Sequence, residues 1–444
     1  MTTGPVRAPP AEMAGVVEQI RGTVRKHSER FEHALPLIAS ENLLSPYAKE
    51  MLISDLHSRY AEGLPGERYY EGNEQVDEVE RTCLELARRL FRCNFADVRP
   101  ISGTVANLAV LKALSDPGDL VGTSRLADGA HISSASFGAF GLRGVKPAYY
   151  AWDPERMTLD VPKTRAILLE KRPKLCLFGL SLFLFPMPIE ELRPTLEEIG
   201  ALGWYDAAHV LGLIAGGVFQ DPLREGCTVI SASTHKTLPG PQHGILLGET
   251  QDPEVVKKLQ GAAFPGVTSN HHLHTMAALA VSLAEQLAFG AEYARRTVEN
   301  AKALAQELHA RGFDVLAEPL GFTASHTIAV RVTKEGGGEP VAKRLSDVGI
   351  ITNKNLLPGD TSPKHPGGIR LGTPELTRVG MGPTEMRRVA ELFDALLHQG
   401  RSPAEVAAGV RALKEPFRTV RYCFGAGEMA YRYYDLVGRP PAVP

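Results

Sequence analysis

Between about Asn73 and Leu247 the chain alternates helical periodicities with short apolar runs, and that alternation restricts the fold more than any other feature. Val76, Val79, Cys83, Leu86 and Leu90 recur at helical spacing, and Thr104–Leu114 is a second helical stretch. Apolar runs bounded by turns follow at Leu120–Thr123, Lys174–Leu180, Trp204–Ala207, Val229–Ser233 and Gly244–Leu247, with a helical pattern at Ile189–Ile199 among them. Strands separated by helices are joined by crossovers rather than hairpins. They therefore pair in parallel, and a parallel sheet needs cover on both faces. The spacing predicts an α/β fold with a mainly parallel central sheet.

After Phe264-Pro265-Gly266 the pattern changes. Two long helical stretches, about Leu273–Leu287 and Ala291–Ala310, lead into a smaller α+β segment. Its expected strands are Phe313–Ala317, His326–Val332 and Gly349–Asn353, and Pro383–Leu397 reads as a covering helix. Lys334–Glu339 (KEGGGE) reads as a solvated turn. The organisation expected is an N-terminal arm over 1–33 with an amphipathic stretch at Ala14–His27, a large domain over 34–290, and a small C-terminal domain with a tail over 291–444. The tail, Glu415–Pro444, carries no recognisable chemistry.

Composition excludes several classes of function. At 444 residues, 43% hydrophobic and 23% charged, the chain is neither disordered nor fibrous. A formal net charge of −2 gives no bulk attraction to nucleic acid or anionic membranes, and no apolar run approaches the ~20 residues of a membrane span. Cys83, Cys93, Cys176, Cys227 and Cys423 are widely spaced with no CxxC pair, so neither a disulfide framework nor a metal site is expected. The first 22 residues carry acids early and no apolar h-region, so no secretory signal and a cytoplasmic location are expected.

The most informative stretch is Ser231-Ala-Ser-Thr-His-Lys236-Thr-Leu-Pro-Gly-Pro241. A lysine between an apolar strand end and a Gly/Pro turn is either a surface residue or an amine aimed into a cleft. In the second case burial favours the neutral form that Schiff-base chemistry requires. In Trp204-Tyr-Asp206-Ala-Ala-His209, an acid ends an apolar run and a histidine follows three residues on. Asp206 is then a helix N-cap or a carboxylate at the ligand-binding edge of a parallel sheet, where it would keep a pyridine nitrogen protonated. Ser102-Gly103-Thr104 opens a helix, which makes it a routine cap or an anion cup suited to phosphate.

Three further features have a bland reading and a chemical one. His131 in Asp128-Gly-Ala-His131 is a loop histidine or a flat ring stacked on a planar cofactor. The stretch Tyr60-Ala-Glu62 through Tyr69-Tyr70 combines turn glycines, phenols and an acid that could handle a proton. Arg370 is a structural ion-pair partner or a bidentate receptor for an α-carboxylate. Taken together, a lysine, a strand-end acid, a phosphate cup, a stacking histidine and a carboxylate-binding arginine are the parts of a pyridoxal-phosphate enzyme acting on amino acids.

These residues resemble the serine hydroxymethyltransferase family, in wording closest to its archaeal-type branch. The resemblance runs from about Leu35 to Met381 and rests on LPLIASEN (35–42), RYAEGLPGERYYEG (59–72), PISGTVAN (100–107), DGAHI (128–132), YDAAHVLGLIAG (205–216), STHKTLPGP (233–241), FPG (264–266) and GIRLGTPELT (368–377). It implies the pyridoxal-phosphate fold type I, the aspartate aminotransferase-like architecture. It also implies retro-aldol cleavage of the serine Cα–Cβ bond, with the one-carbon unit passed to tetrahydrofolate or a related tetrahydropterin.

The same resemblance assigns the residues. Lys236 would bind the cofactor covalently, with His235 beside it influencing reaction specificity. Asp206 would pair with the ring nitrogen, His131 would stack on the ring and His209 would lie near its phenolic oxygen. Ser102, Gly103 and Thr104 would hold the phosphate, with Ser181 close by. Ser40, Tyr70 and Arg370 would bind the substrate carboxylate, and Glu62 would handle the hydroxymethyl proton. Tyr69, Leu126, Ile132 and Asn355 occupy positions where the family contacts the pterin. Tyr60, Glu62 and the loop after FPG reach the site across a dimer interface in the family, which implies a homodimer or a dimer of dimers with shared active sites.

The chain departs from the family wording at Asp128–Ala135, at Thr104-Val105, at Gln242-His243 and at Val267–His272. Those departures bear on the carrier and the aldehyde, and leave a pterin-independent relative as the alternative: an L-threonine transaldolase, a threonine aldolase or an α-methylserine hydroxymethyltransferase. A non-catalytic member of the fold would have lost Lys236 or Asp206, and both are present.

Overall fold

The structure, a computed structural model, describes residues 11–360 and 365–437. The first ten residues of the expected arm and the last seven of the tail lie outside the described residues.

Seven strands form the central sheet, in the spatial order Phe95–Asp97, Gly244–Gly248, Cys227–Ser233, Leu202–Asp206, Leu175–Phe178, Leu120–Thr123, Lys146–Tyr149. The five strands from Cys227–Ser233 to Lys146–Tyr149 pair in parallel, while Gly244–Gly248 runs antiparallel to both of its neighbours. Both faces are apolar. Cys176, Phe178, Tyr205 and Ile230 enter one core cluster, and Leu175, Leu177, Trp204 and Val229 enter the cluster on the other side. The period-2 pleat sends neighbours along each strand to opposite cores, so these strands read as continuous apolar runs.

The expected α/β architecture with a mainly parallel sheet is present. The two strands that the sequence pattern did not reveal, Phe95–Asp97 and Lys146–Tyr149, are the two edges. They are three and four residues long, and Lys146 and Tyr149 at the ends of the second are exposed.

A four-stranded antiparallel sheet follows, in the order Asp314–Val315, Thr327–Arg331, Gly368–Gly372, Asn353–Asn355. The single strand expected at Gly349–Asn353 is two. Ile350–Ile351 leaves this sheet to pair in parallel with Leu35–Pro36, and Asn353–Asn355 joins it. Ser45, Ser102, Asp160 and Ser402 cap helices with their side chains, and Pro follows at the first helical turn in three of the four.

The two helical stretches expected around Leu273–Leu287 and Ala291–Ala310 are one helix, Leu273–Ala310, of 38 residues. At 1.5 Å per residue it spans about 57 Å. Gly290 sits inside it without breaking it, because small residues here admit a close neighbour. A Cβ on Gly216 would lie 2.4 Å from the Ala294 Cβ and 2.8 Å from the Gly290 carbonyl oxygen. The helix thus runs unbroken through the position expected to separate the two domains. Its N-terminal half packs in the cluster of the central sheet and its C-terminal half in that of the smaller sheet. Lys334–Glu339 is a turn only as far as Gly337, and the helix Gly338–Asp347 begins within the segment expected to be solvated.

Candidate active site

A cavity of about 860 Å³ opens at the C-terminal edge of the parallel strands, where α/β sheets bind ligands. Fourteen of the residues singled out in the sequence line it: Ser40, Ser102, Gly103, Thr104, Leu126, His131, Ile132, Ser181, Asp206, His209, His235, Lys236, Asn355 and Arg370. They come from segments separated by up to 330 positions and are gathered by the ends of four strands and the edge of the smaller sheet.

Lys236 follows the strand Cys227–Ser233 on a loop fixed from several sides. The Thr237 hydroxyl donates to the His209 carbonyl at 2.9 Å and accepts from the Gly212 N–H at 3.0 Å, while Asn42 donates to the Lys236 carbonyl at 2.6 Å. Gly212 must be glycine here, since a Cβ would stand 2.2 Å from the Thr237 carbonyl oxygen. The Lys236 side chain is buried, which pushes its ammonium down to about 8. Asp206 opposes that shift and Arg370 adds to it.

Asp206 ends the strand Leu202–Asp206. Its carboxylate accepts from Asn107 Nδ2 at 2.8 Å and from the Ala208 N–H at 3.0 Å. The neighbouring strand end approaches so closely that Gly179, at φ +137°, has no room for a Cβ, which would fall 2.4 Å from the Asp206 carbonyl oxygen. Ser102 caps the helix Gly103–Leu114 by accepting from the Val105 N–H at 3.2 Å. This leaves first-turn N–H groups at the cavity wall, where a helix start favours an anion.

Arg370, from the strand Gly368–Gly372, is buried and donates through Nη1 to the Ser181 carbonyl at 2.9 Å. Its Nε has no hydrogen-bond partner, and among the described residues no carboxylate forms an ion pair with it. Burial pushes its guanidinium down to about 10. The histidines are neutral. Burial, reinforced by Lys236, holds His235 down to about 4 and His209 well below the usual imidazole range. Burial also lowers His131, against the pull of Asp206. Lys236, Arg370 and Lys354 line the cavity against the carboxylates of Asp206 and Glu41, and the two buried members of that set, Lys236 and Arg370, are both cations, which favours anionic groups.

Tyr60, Glu62, Tyr69 and Tyr70 do not line this cavity. They belong to a short hairpin in which Gly63–Leu64 pairs with Glu67–Arg68. The buried Arg68 side chain locks the hairpin by bonding Asp77 at 2.7 Å, Glu80 at 2.5 Å and the Ala61 carbonyl at 2.7 Å. Asn270 ties the hairpin to the loop after Phe264-Pro-Gly, accepting from the Ala61 N–H at 2.9 Å, and Ser269 donates to the Glu62 carboxylate. The three tyrosines are exposed, Tyr69 at 77%. The structure thus builds a rigid, solvent-facing platform from these four residues rather than placing them beside Lys236.

Several residues of the site were not singled out in the sequence. Asn107 and Ser133 hydrogen-bond the side chains of Asp206 and His131, Ser231 bonds Asn107 in turn, Asn42 bonds the Lys236 backbone carbonyl, and His326 stacks on His209 with ring centroids 5.8 Å apart. Asn107 carried a readable signal. It is an amide in an otherwise apolar helical run, and a buried polar group needs partners.

The residues present fit pyridoxal phosphate. A helix start with serine, glycine and threonine suits its phosphate, a strand-end carboxylate suits its ring nitrogen, and a buried amine of lowered basicity suits its aldehyde. The orphaned buried atoms Ser233 Oγ, His209 Nδ1, His235 Nδ1 and Arg370 Nε, all in residues lining the cavity, mark a polar ligand. Among the described residues no group of three or more His, Cys, Asp or Glu side chains could hold a metal ion.

The family model described as serine hydroxymethyltransferase matches residues 14–393. A serine hydroxymethyltransferase of Thermoplasma acidophilum is 53% identical over 422 residues, covering 95% of this chain and 99% of the relative. The serine hydroxymethyltransferase of Methanopyrus kandleri is 50% identical over 422 residues, covering 95% and 98%, and that of Archaeoglobus fulgidus is 47% identical over 415 residues, covering 93% and 94%. A full-length match of this kind, on a cavity built from a buried lysine, a strand-end acid and an unpaired arginine, leaves one assignment: the chain belongs to the serine hydroxymethyltransferase family of pyridoxal-phosphate-dependent enzymes.

Proposed function

We propose that the chain interconverts serine and glycine, with tetrahydrofolate or a related tetrahydropterin as the one-carbon carrier. The observation that carries this reading is the buried Arg370, with a free Nε and no carboxylate partner among the described residues, in one cavity with Lys236 and Asp206. When bound, pyridoxal phosphate supplies an aldehyde carbon for an amine to condense with and a ring that accepts electron density from the substrate's α-carbon.

The chain's own residues do the rest. Lys236 presents an amine that burial keeps partly neutral near pH 8. Asp206 holds a proton at the ring nitrogen. Ser102, Gly103 and Thr104 receive the phosphate at the helix start, with Ser181 beside them. His131 would cover a face of the bound ring, and His209 and His235 would contribute neutral imidazoles. Arg370, with Ser40, takes the substrate carboxylate by the paired geometry a guanidinium offers. Leu126, Ile132 and Asn355 line the cavity and form the pterin wall.

In this reading Glu62, Tyr60, Tyr69 and Tyr70 serve the cavity of a second copy, so the protein is a homodimer, alone or paired into a dimer of dimers. The exposed, rigid hairpin and its ties to Asn270 and Ser269 support this. The two bodies are 34–290 and 291–444; separate apolar clusters support the division, with Leu35 and Leu37 crossing into the second and Ala294 into the first. Five buried, unpaired thiols support a cytoplasmic location. No helix of the described residues is long and apolar enough to cross a membrane.

Product analysis with serine and with threonine, each with and without tetrahydrofolate, tests the function. Glycine formation from serine that depends on the carrier is expected. Rapid cleavage of threonine with no carrier requirement would instead identify a threonine transaldolase or aldolase.

Three results follow. Arg370→Ala is expected to raise KM for serine by roughly 10²-fold, as loss of a charge-assisted pair would, and an unchanged KM in steady-state kinetics would place the carboxylate elsewhere. The rate at which apoprotein condenses with pyridoxal phosphate is expected to climb from pH 7, pass its midpoint near 8 and level off about one unit higher, because the folded-state lysine loses its proton over that range. Stopped-flow absorbance checks this, and a midpoint near the ordinary lysine value would refute the burial argument. Mixing Lys236→Ala with Glu62→Gln protomers is expected to restore roughly a quarter of wild-type activity, since half the random dimers carry one intact site of two. No recovery after subunit exchange would confine each site to one chain.

A further inference from the structure

A hydrogen-bond chain runs beneath the cavity through residues that the proposed mechanism leaves out. Trp204 Nε1 lies 2.7 Å from Ser231 Oγ, and Ser231 Oγ lies 2.6 Å from Asn107 Oδ1. Asn107 Nδ2 lies 2.8 Å from Asp206 Oδ2 and 3.1 Å from Ser133 Oγ. Ser133 Oγ lies 2.9 Å from His131 Nδ1, and the Ser133 backbone N–H points at the same nitrogen from 3.2 Å. Trp204, Ser231, Asn107 and Ser133 are all buried.

Each link has only one workable direction. The Trp204 indole can only donate, so Ser231 accepts from it and turns its own proton to Asn107 Oδ1. The Asp206 carboxylate can only accept, so the Asn107 amide must face it with Nδ2. The second hydrogen of that amide then goes to Ser133 Oγ. Having accepted there, the Ser133 hydroxyl donates to His131 Nδ1. The backbone N–H of Ser133 can also only donate, so two donors meet at Nδ1, which must carry a lone pair.

We propose that Ser133, oriented by Asn107, is a positioning residue that fixes His131 as the neutral tautomer with its proton on Nε2, and that the same amide couples this choice to the ionised Asp206. The consequence for the cofactor rests on the function proposed above. A neutral ring would lie over the cofactor while the positive charge stays where Asp206 holds it, at the pyridine nitrogen. A protonated His131 would compete for that carboxylate. The charged and titratable groups facing His131 are Asp206, Lys236, Arg370 and His209; Lys236 and Arg370 disfavour a further positive charge there, while Asp206 favours it.

The test is nitrogen-15 NMR of histidine-labelled, full-length apoprotein, with the His131 signals assigned by their loss in His131→Phe. Between about pH 6 and pH 9 the wild type should show Nδ1 unprotonated and Nε2 protonated. Ser133→Thr, which keeps the hydroxyl, should match it. Ser133→Ala should raise the protonation midpoint of His131 by about one pH unit, because one of the two donors that penalise a proton on Nδ1 is gone. Asn107→Ala should fall between the two. A proton on Nδ1 in the wild type overturns the proposal without recourse to any variant, as does a Ser133→Ala titration identical to wild type. The cofactor reading is judged separately, by the absorbance that pyridoxal phosphate develops on addition to wild-type protein. Its failure there would leave the hydrogen-bond assignment standing, and the reverse outcome would leave the cofactor in place.

Discussion

Lys236→Ala is expected to abolish turnover, with kcat for glycine formation falling by on the order of 10⁴-fold or more. The reason is chemical rather than structural. The Lys236 backbone is held by Asn42 at 2.6 Å, and its neighbour Thr237 by His209 and Gly212, so removing the side chain leaves the loop in place. What goes is the only buried amine lining the cavity among the described residues. The apoprotein should also become more stable at neutral pH. A lysine whose folded-state value lies near 8 takes up a proton on unfolding at any pH between that value and its ordinary 10.5, and at pH 7 the native state carries the full cost of the buried charge. Thermal denaturation of the two apoproteins at pH 7 checks this, and a lower Tm for Lys236→Ala would contradict the burial argument.

Asp206→Ala carries the second large effect. Removing a preorganised charge at the point where a reaction needs it costs about 3–4 kcal/mol, or roughly 10²–10³-fold in kcat. The loss should be larger than a simple deletion suggests, because Asn107 Nδ2 is then left buried with one partner fewer. Asp206→Asn separates the two contributions: it keeps the shape and loses the charge, so kcat should fall about as far while the fold is spared. Single-turnover kinetics on both variants is the measurement. Near-normal turnover in either would remove Asp206 from the role given to it.

Much of this site was legible before any coordinates. Asp206 and Lys236 announce themselves because each ends or follows an apolar run, and a polar residue at such a place is either a cap or a ligand contact. The five inner strands were legible for a related reason, since burial on both faces forces continuous Leu, Ile, Val and Phe. What failed to show did so for identifiable causes. The edge strands Phe95–Asp97 and Lys146–Tyr149 are short and carry polar residues. Gly290 reads as a helix stop, and only its packing beside Gly216 explains why the helix continues. The helix Pro403–Lys414 carries a full capping box, Ser402 with Glu405, just ahead of a tail that shows no recognisable chemistry. Ser133 gave no signal at all, and Ser231 showed only as part of an apolar strand end. Their importance lies in partners 26 and 124 positions away.

The hairpin at 59–72 shows the opposite limit. Its wording pointed to the active site, while in a single chain the side chains face outward on a platform locked by Arg68. In the proposed homodimer a second copy reconciles the two, which is why the mixed-protomer experiment bears on Glu62 and Tyr60 more directly than point kinetics would.

The central claim is that one amine, on Lys236, holds the cofactor. Borohydride reduction of the holoenzyme followed by proteolysis and mass mapping tests it most directly. The account predicts a single pyridoxyl-modified peptide containing Ser233–Pro241, with the added mass on Lys236. Modification of a different lysine, or none at all, would contradict it.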